Sequence, residues 1–430
     1  MKKPNRKTLF PLLASSLLIA AAAAGSGLPP GHTAEAAHAN EARTLTSTGS
    51  ESFSASSSAQ PSTTIDSRID TTAETAESTE FMQLQQIKFL SATTGWVVRA
   101  GNSRTQKQPL RLLVTRDGSR SWTKQKLPGQ YAAGLGLSSA DSGWALVYDG
   151  SKKTSGTVAY SRARLLHTAD GGKSWQTQWS RAGTYTDSFP PQNNVVVTGN
   201  KSAYAIVGNQ LLLTRDGRTW SGSAWNQPGF VPEHLSFSDA QNGWAAGTMP
   251  SHTGAIDDHV VAVLHTADGG RSWNRQLAAG PTDEDNSDSS SLRSAAIDFA
   301  DAKNGFVLTD DISMMAGDLY RTTDGGHTWT KMYAKLRSHR PTLVGLSFID
   351  GKKGWIYASP GAGPIDGGLM ITRDGGKSFA SEPDAGYDLS FAEYFASGNG
   401  YAVGRTANGQ DYLSRTRDGG DTWKVVYPAK

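Results

Sequence analysis

Carboxylates recur along this 430-residue chain at a spacing that invites a chemical reading. Asp117, Asp170, Asp216, Asp268, Asp324, Asp374 and Asp418 each stand third in a near-identical string. The strings are TRDGSRSW from Thr115, TADGGKSW from Thr168, a shortened TRDGRTW from Thr214, TADGGRSW from Thr266, TTDGGHTW from Thr322, TRDGGKSF from Thr372 and TRDGGDTW from Thr416. A carboxylate can ligate a cation, move a proton or accept backbone N–H bonds inside a turn. The third chemistry fits best. Asp before Gly or Gly-Gly, with Ser or Thr at both ends, is the composition of a tight reversal, because glycine takes the positive φ that other residues resist. A catalytic centre needs unlike groups brought together, and seven copies of one turn do not supply that.

Other candidates are sparse. From Phe81 onward there are four glutamates: Glu233, Glu284, Glu382 and Glu393. Asp257-Asp258-His259 has metal-ligating residue types, but at a spacing too tight to converge. TDEDNSDSSS from Thr282 lacks the turn glycine and distal glutamate of a calcium loop and reads as a surface insertion. No HExxH, phosphate loop, dinucleotide fingerprint or GxSxG elbow occurs in this region. The chain has no cysteine, which excludes disulfides, thiolate chemistry and cysteine-ligated zinc. No metal and no cofactor are expected.

The elements that must carry these turns are strands. Starts of successive strings lie 44 to 56 residues apart, a repeat period. A small residue followed by an aromatic precedes each string: Gly95-Trp96, Gly143-Trp144, Ala203-Tyr204, Gly243-Trp244, Gly305-Phe306, Gly354-Trp355 and Gly400-Tyr401. Ahead of most of these lie short apolar runs such as IKFL, LSFSD, IDFAD and LSFID. Each unit therefore reads as four short strands joined by turns, and seven such units predict an all-β, seven-bladed β-propeller over residues 81–430. Ten of the twelve tryptophans sit at the two periodic positions, where a large ring fills the wedge between neighbouring sheets. Closure of the ring is open at this stage. Either complete blades pack against each other, or a strand is borrowed from just before Phe81.

The start MKKPNRK, the apolar stretch after it and the small-residue sites at Ala34–Ala36 and Ala37–Ala39 predict a secretory signal over residues 1–39. An uncleaved membrane anchor is the alternative. Residues 40–80 are rich in Ser, Thr, Ala and Glu without apolar periodicity, and read as a flexible tether. The chain is thus expected to be exported. Its formal net charge is only +3, and no Lys/Arg run is long enough to track phosphates, which excludes nucleic acid.

The seven strings resemble the Asp-box, or BNR, motif of the sialidase superfamily of propellers. Their alternation with a Gly-Trp strand is similar to the photosystem II assembly and stability factor family and its non-photosynthetic bacterial relatives. Ser119 in the first box, the shortened third box and Phe379 in the sixth depart from the pattern. A sialidase would imply an Arg cluster, a Tyr nucleophile paired with Glu, and an Asp acid/base; the few glutamates and the missing Phe-Arg-Ile-Pro signature oppose that. Related xyloglucan-cleaving enzymes use paired aspartates between two tandem propellers, and this chain has room for one. The expectation is therefore a non-catalytic binding or assembly platform for an acidic or membrane-associated protein partner. The alternative is a cell-surface carbohydrate-active protein, either a sialidase-like glycoside hydrolase or a glycan-binding lectin. The resemblance places the ligand face on the loops away from the boxes. Its candidates are Arg99, Tyr131, Asp149, Tyr185, Phe230, His234, His259, Asp310, Asp311, Asp366, Tyr387 and Arg405, with Arg99 and Arg405 forming a cationic patch where the first and last blades meet.

Overall fold

The computed structural model describes residues 83–100, 110–154, 157–186, 194–251, 259–280, 292–311, 317–336, 342–359, 368–382, 389–406 and 408–428. The expected signal and tether lie outside these residues.

Twenty-eight strands form seven four-stranded antiparallel sheets, each from four consecutive strands. Blade 1 holds β1 (Gln83–Phe89), β2 (Gly95–Ala100), β3 (Arg111–Thr115) and β4 (Thr123–Lys126). Blade 2 holds β5 (Tyr131–Leu137), β6 (Gly143–Thr154), β7 (Thr157–Thr168) and β8 (Gln176–Thr186). Blade 3 holds β9 (Val195–Val197), β10 (Ala203–Val207), β11 (Gln210–Thr214) and β12 (Ser221–Ser223). Blade 4 holds β13 (Val231–Phe237), β14 (Gly243–Pro250), β15 (His259–Thr266) and β16 (Asn274–Ala279). Blade 5 holds β17 (Leu292–Phe299), β18 (Gly305–Asp311), β19 (Gly317–Thr322) and β20 (Thr330–Leu336). Blade 6 holds β21 (Thr342–Phe348), β22 (Gly354–Ser359), β23 (Gly368–Thr372) and β24 (Ala380–Glu382). Blade 7 holds β25 (Leu389–Tyr394), β26 (Gly400–Arg405), β27 (Asp411–Thr416) and β28 (Lys424–Tyr427).

The first strand of each blade packs against the first strand of the next, and β25 against β1, so the ring closes around a central channel. This is the expected seven-bladed, all-β propeller. Closure is by packing between complete blades, since blades 1 and 7 each own four consecutive strands.

The small-aromatic pair has a geometric cause. In five of the seven blades an aromatic ends the first strand and lies opposite the glycine that opens the second, as in Phe89↔Gly95 and Phe299↔Gly305, while Leu137 and Val197 take that place in blades 2 and 3. A Cβ on Gly95 would sit 2.0 Å from the Phe89 ring, so only glycine lets the ring lie flat there. That ring then stacks on the second-strand aromatic of the preceding blade. The pairs are Phe237 on Tyr204 at 3.9 Å, Phe299 on Trp244 at 3.5 Å, Phe348 on Phe306 at 3.5 Å, Tyr394 on Trp355 at 3.6 Å and, closing the ring, Phe89 on Tyr401 at 3.7 Å. Tryptophans that end the strings meet three of these stacks edge-on: Trp273 against Phe237, Trp329 against Phe299 and Trp423 against Tyr394. Such pairs add about 0.5–1.5 kcal/mol each beyond the area they bury.

Strand direction sorts the loops. Because consecutive strands of a blade alternate in direction as they step outward from the channel, its first hairpin turn and its DG turn share one end of the ring. The second hairpin and the links between blades share the other. In the DG turn of blade 2, Thr168 Oγ1 donates to Asp170 Oδ1 at 2.8 Å and accepts from Gly172 N–H at 3.0 Å, while Ser174 N–H and Oγ donate to the two carboxylate oxygens. Gly171, at φ +74°, donates its N–H to the Asp141 carbonyl of the neighbouring hairpin turn. The same bonds recur at Asp268, Asp324, Asp374 and Asp418, and with small changes at Asp117 and Asp216. Ser119 takes φ +68° where five of the other strings have a second glycine; the shortened third string lacks that position.

Candidate functional site

A first strand is a sheet edge, so its outward N–H groups face the channel without a ladder partner, and leaving them unbonded is costly. The chain answers with side chains from the preceding blade. Ser236 Oγ accepts from Phe299 N–H at 2.9 Å, Asp298 Oδ2 from Phe348 N–H at 2.7 Å and Glu393 Oε2 from Phe89 N–H at 2.6 Å. These acceptors occupy one position, immediately before the last aromatic of the first strand. Lys88 holds that position in blade 1 and pairs with Glu393 Oε1 at 2.7 Å. Nearer the other end a second layer repeats the device: Leu84 N–H donates to Asp411, Ala132 N–H to Gln85 and Ser294 N–H to Glu233.

Lys88, Asp298 and Glu393 therefore meet across a cavity of about 210 Å³, also lined by Gln86, Ser347 and Phe391. Burial pushes the Asp298 carboxyl up to about 6, against the Phe348 N–H and the Lys88 charge, and the Glu393 carboxylate adds to the rise. Burial works to lower the Lys88 ammonium, but the Glu393 carboxylate prevails and holds it above the usual lysine range. The raised Asp298 carboxyl beside the Lys88 ammonium forms a group able to exchange a proton near pH 6. None of the three was singled out for the channel from sequence. Their signal was a charged residue interrupting IKFL, IDFAD and the run before Tyr394.

The opposite end is irregular. In blade 2, β6 and β7 run 12 residues each and β8 runs 11, while in blade 3 the corresponding strands run 5, 5 and 3. The tall blade carries a tyrosine stack. Tyr131 lies 6.0 Å from Tyr148 and 5.6 Å from Tyr160, and Tyr185 stacks on Tyr148 at 5.0 Å. Burial, with Tyr185 adding to it, pushes the Tyr148 phenol up to about 12. Tyr131 is thus buried in the stack and Tyr185 half-buried at its margin.

The remaining expected face residues fall into groups. Arg405 Nε donates to Asp411 at 2.7 Å, and Arg99 stands opposite Leu84, which bonds to that same Asp411. Both arginines therefore lie where blades 1 and 7 meet, but the Arg405 charge is matched by a buried carboxylate, which corrects the expected open patch. Asp149 pairs with Arg164 at 2.6 Å. Phe230, His234, Asp310 and Asp311 are buried, contrary to expectation. Phe230 packs on Trp225, His234 bonds the Ser294 carbonyl across to blade 5, and Asp310 pairs with Arg293 at 2.8 Å. His259 opens β15 and is half-buried. Asp366 and Tyr387 lie outside the described residues, as do Asp257, Asp258 and the TDEDNSDSSS run. Among the described residues no group of three or more His, Cys, Asp or Glu side chains is placed to hold a metal ion.

No family model matches the chain, and no curated protein matches it in sequence. Solved structures do. YCF48 from Cyanidioschyzon merolae is 17% identical over 78% of this chain and 98% of its own, with a TM-score of 0.47. The GH74 xyloglucanase from Xanthomonas campestris is 14% identical over 78% of this chain, with a TM-score of 0.48. A puromycin-hydrolyzing peptidase of Mycobacterium tuberculosis is 11% identical over 80% of this chain, with a TM-score of 0.49. The chain spans 59% of the xyloglucanase and 53% of the peptidase. At this identity the likeness is one of fold alone. The expectation that the chain is not an enzyme is corrected here: its structural neighbours include enzymes, so the propeller does not set binding apart from catalysis.

Proposed function

We propose that the propeller is a docking platform for a protein partner, engaged through the end of the ring away from the DG turns. The observation that carries this is the overhang of blade 2 beside the short blade 3. Repetition explains seven equal blades; it does not explain one that outgrows its neighbours. The overhang displays the exposed Arg162 and Arg181 and the half-buried Tyr185, of the residue types that dominate binding energy at interfaces. The sequence resemblance to the photosystem II assembly factor family supports the same reading, with an acidic or membrane-associated partner met after export.

Photo-crosslinking tests it. A benzophenone amino acid at position 184, on the overhang, is expected to give one discrete adduct in the native host, whereas one at position 173, in the DG turn of the same blade, gives none. Adducts from position 173 alone would overturn the reading. So would turnover of a fluorogenic glycoside panel that is lost on changing Asp298 or Glu393 and kept on changing Asp170.

A further inference from the structure

The outer strands β4, β12, β16, β20, β24 and β28 are three to seven residues long, and β8 has 11. Short outer strands are one way a sheet edge avoids pairing with another chain. β8 lacks that protection, contains no proline, and is exposed along most of its length.

A groove opens on each face of this edge. Register places Asp149 opposite Arg162, Arg162 opposite Ala182, and Arg164 opposite Ser180, and on that face a hollow of about 630 Å³ is lined by Arg162, Arg164, Thr177 and Ser180. Ala163–Arg181 and Tyr160–Tyr185 pairs mark the other face, where a hollow of about 520 Å³ lies between Arg181–Tyr185 and the blade 3 turn at Gly208-Asn209. Each groove therefore carries an exposed arginine: Arg162 in one, Arg181 in the other. Arg164 is matched by Asp149, while Arg181 donates to the neutral amide of Gln210.

We propose that β8 accepts an extended acidic peptide as a fifth strand of blade 2, a proposal that rests on the platform reading above and names its partner. Main-chain bonds to the β8 edge supply affinity, and adjacent side chains of the added strand fall into opposite grooves, where carboxylates meet Arg162 and Arg181. A second copy of the chain fits less well. Antiparallel self-pairing centred on Arg181 would bring the two Arg181 charges together.

The test uses the full chain and a labelled nonapeptide with a central Glu-Glu pair flanked by Val and Thr, read by fluorescence anisotropy. The expected result is saturable binding, weakened about tenfold or more by Lys-Lys in place of Glu-Glu and by either Arg162→Glu or Arg181→Glu. Peptides N-methylated at alternate residues separate strand addition from simple charge attraction. One set of methyls abolishes binding and the other leaves it, because only alternate N–H groups face β8. Equal affinity of the two methylated peptides, unchanged affinity in both arginine variants, or no binding of the acidic peptide would each overturn the proposal. A β8-mediated dimer in sedimentation would replace the peptide with a second copy. Loss of peptide binding with crosslinks from position 184 retained defeats strand addition alone; loss of both defeats the platform as well.

Discussion

At the end of the ring that carries the DG turns, every blade repeats one set of bonds. At the other end, blade 2 rises above its neighbours and blade 3 stops at a two-residue turn. The contrast follows from what each end must do. The first fixes where strands reverse and which rings stack, and a ring of seven wedges needs the same answer seven times. The second is free of that demand, so insertions collect there, and so do unmatched arginines and half-buried tyrosines. The channel belongs to neither. Its edge N–H groups need capping in every blade, yet the caps differ: serine, aspartate, glutamate.

Substitutions can break this contrast. The largest expected effect is at the repeated end: Trp355→Ala, which removes a fully buried ring stacked on Tyr394, should cost about 3–5 kcal/mol in urea unfolding. A similar loss is expected at Trp144, and a small loss at either site would show that the wedges are loosely packed. The meeting of blades 1 and 7 comes next. Glu393→Gln leaves Lys88 without its partner and should cost roughly 1–3 kcal/mol, less than for a fully buried pair because both groups face the channel. No loss would mean that stacking of Phe89 on Tyr401 closes the ring unaided.

Asp298 sharpens the comparison through pH. Its folded carboxyl titrates near 6, above the ordinary value of about 3.9, so its contribution to stability is complete below about pH 4 and lost as pH rises through 6. Asp298→Asn should retain the bond from Phe348 N–H, flatten the melting temperature between pH 4 and 7, and stabilise by about 1–3 kcal/mol at pH 7.5. The DG-turn carboxyls have the opposite sign. Donation from the Ser or Thr four residues on, through hydroxyl and N–H, holds Asp170, Asp324, Asp374 and Asp418 at about 2. Their contribution is present above about pH 4 and disappears as pH falls towards 2, so the melting temperature should drop steeply there. Asp170→Ala should remove only its share, since the group is exposed. Smallest of all, Arg181→Glu on the irregular end should change stability by no more than about 0.5 kcal/mol. A larger change would mean that the overhang holds the ring together.

Legibility in the sequence followed the same division. TRDG and TADG strings, the Gly-aromatic pairs and their period were enough for blade number, strand order within a blade and the wedge-filling tryptophans, because each is a local pattern repeated in register. Phe230 and His234 misled because the start of a first strand lies near the ligand end yet points between blades. Asp310 misled because a charged pair can hide as well as present itself, and Arg293 is seventeen residues away. Lys88 and Glu393 are 305 positions apart, and nothing local relates them.

The amino-acid sequence by itself determined the repeating parts of this protein: turns set by Asp-Gly, strands set by short apolar runs, glycine where a ring must lie flat. Those choices depend on neighbours a few residues away. Only the tertiary structure decided which charges meet in the channel, how blade 7 meets blade 1 without a shared strand, and that, among the described residues, β8 is the outer edge of blade 2 between two grooves. The first two depend on ring closure, which sets distances between residues that the chain keeps far apart; the third depends on how far β6, β7 and β8 outgrow the strands of blade 3.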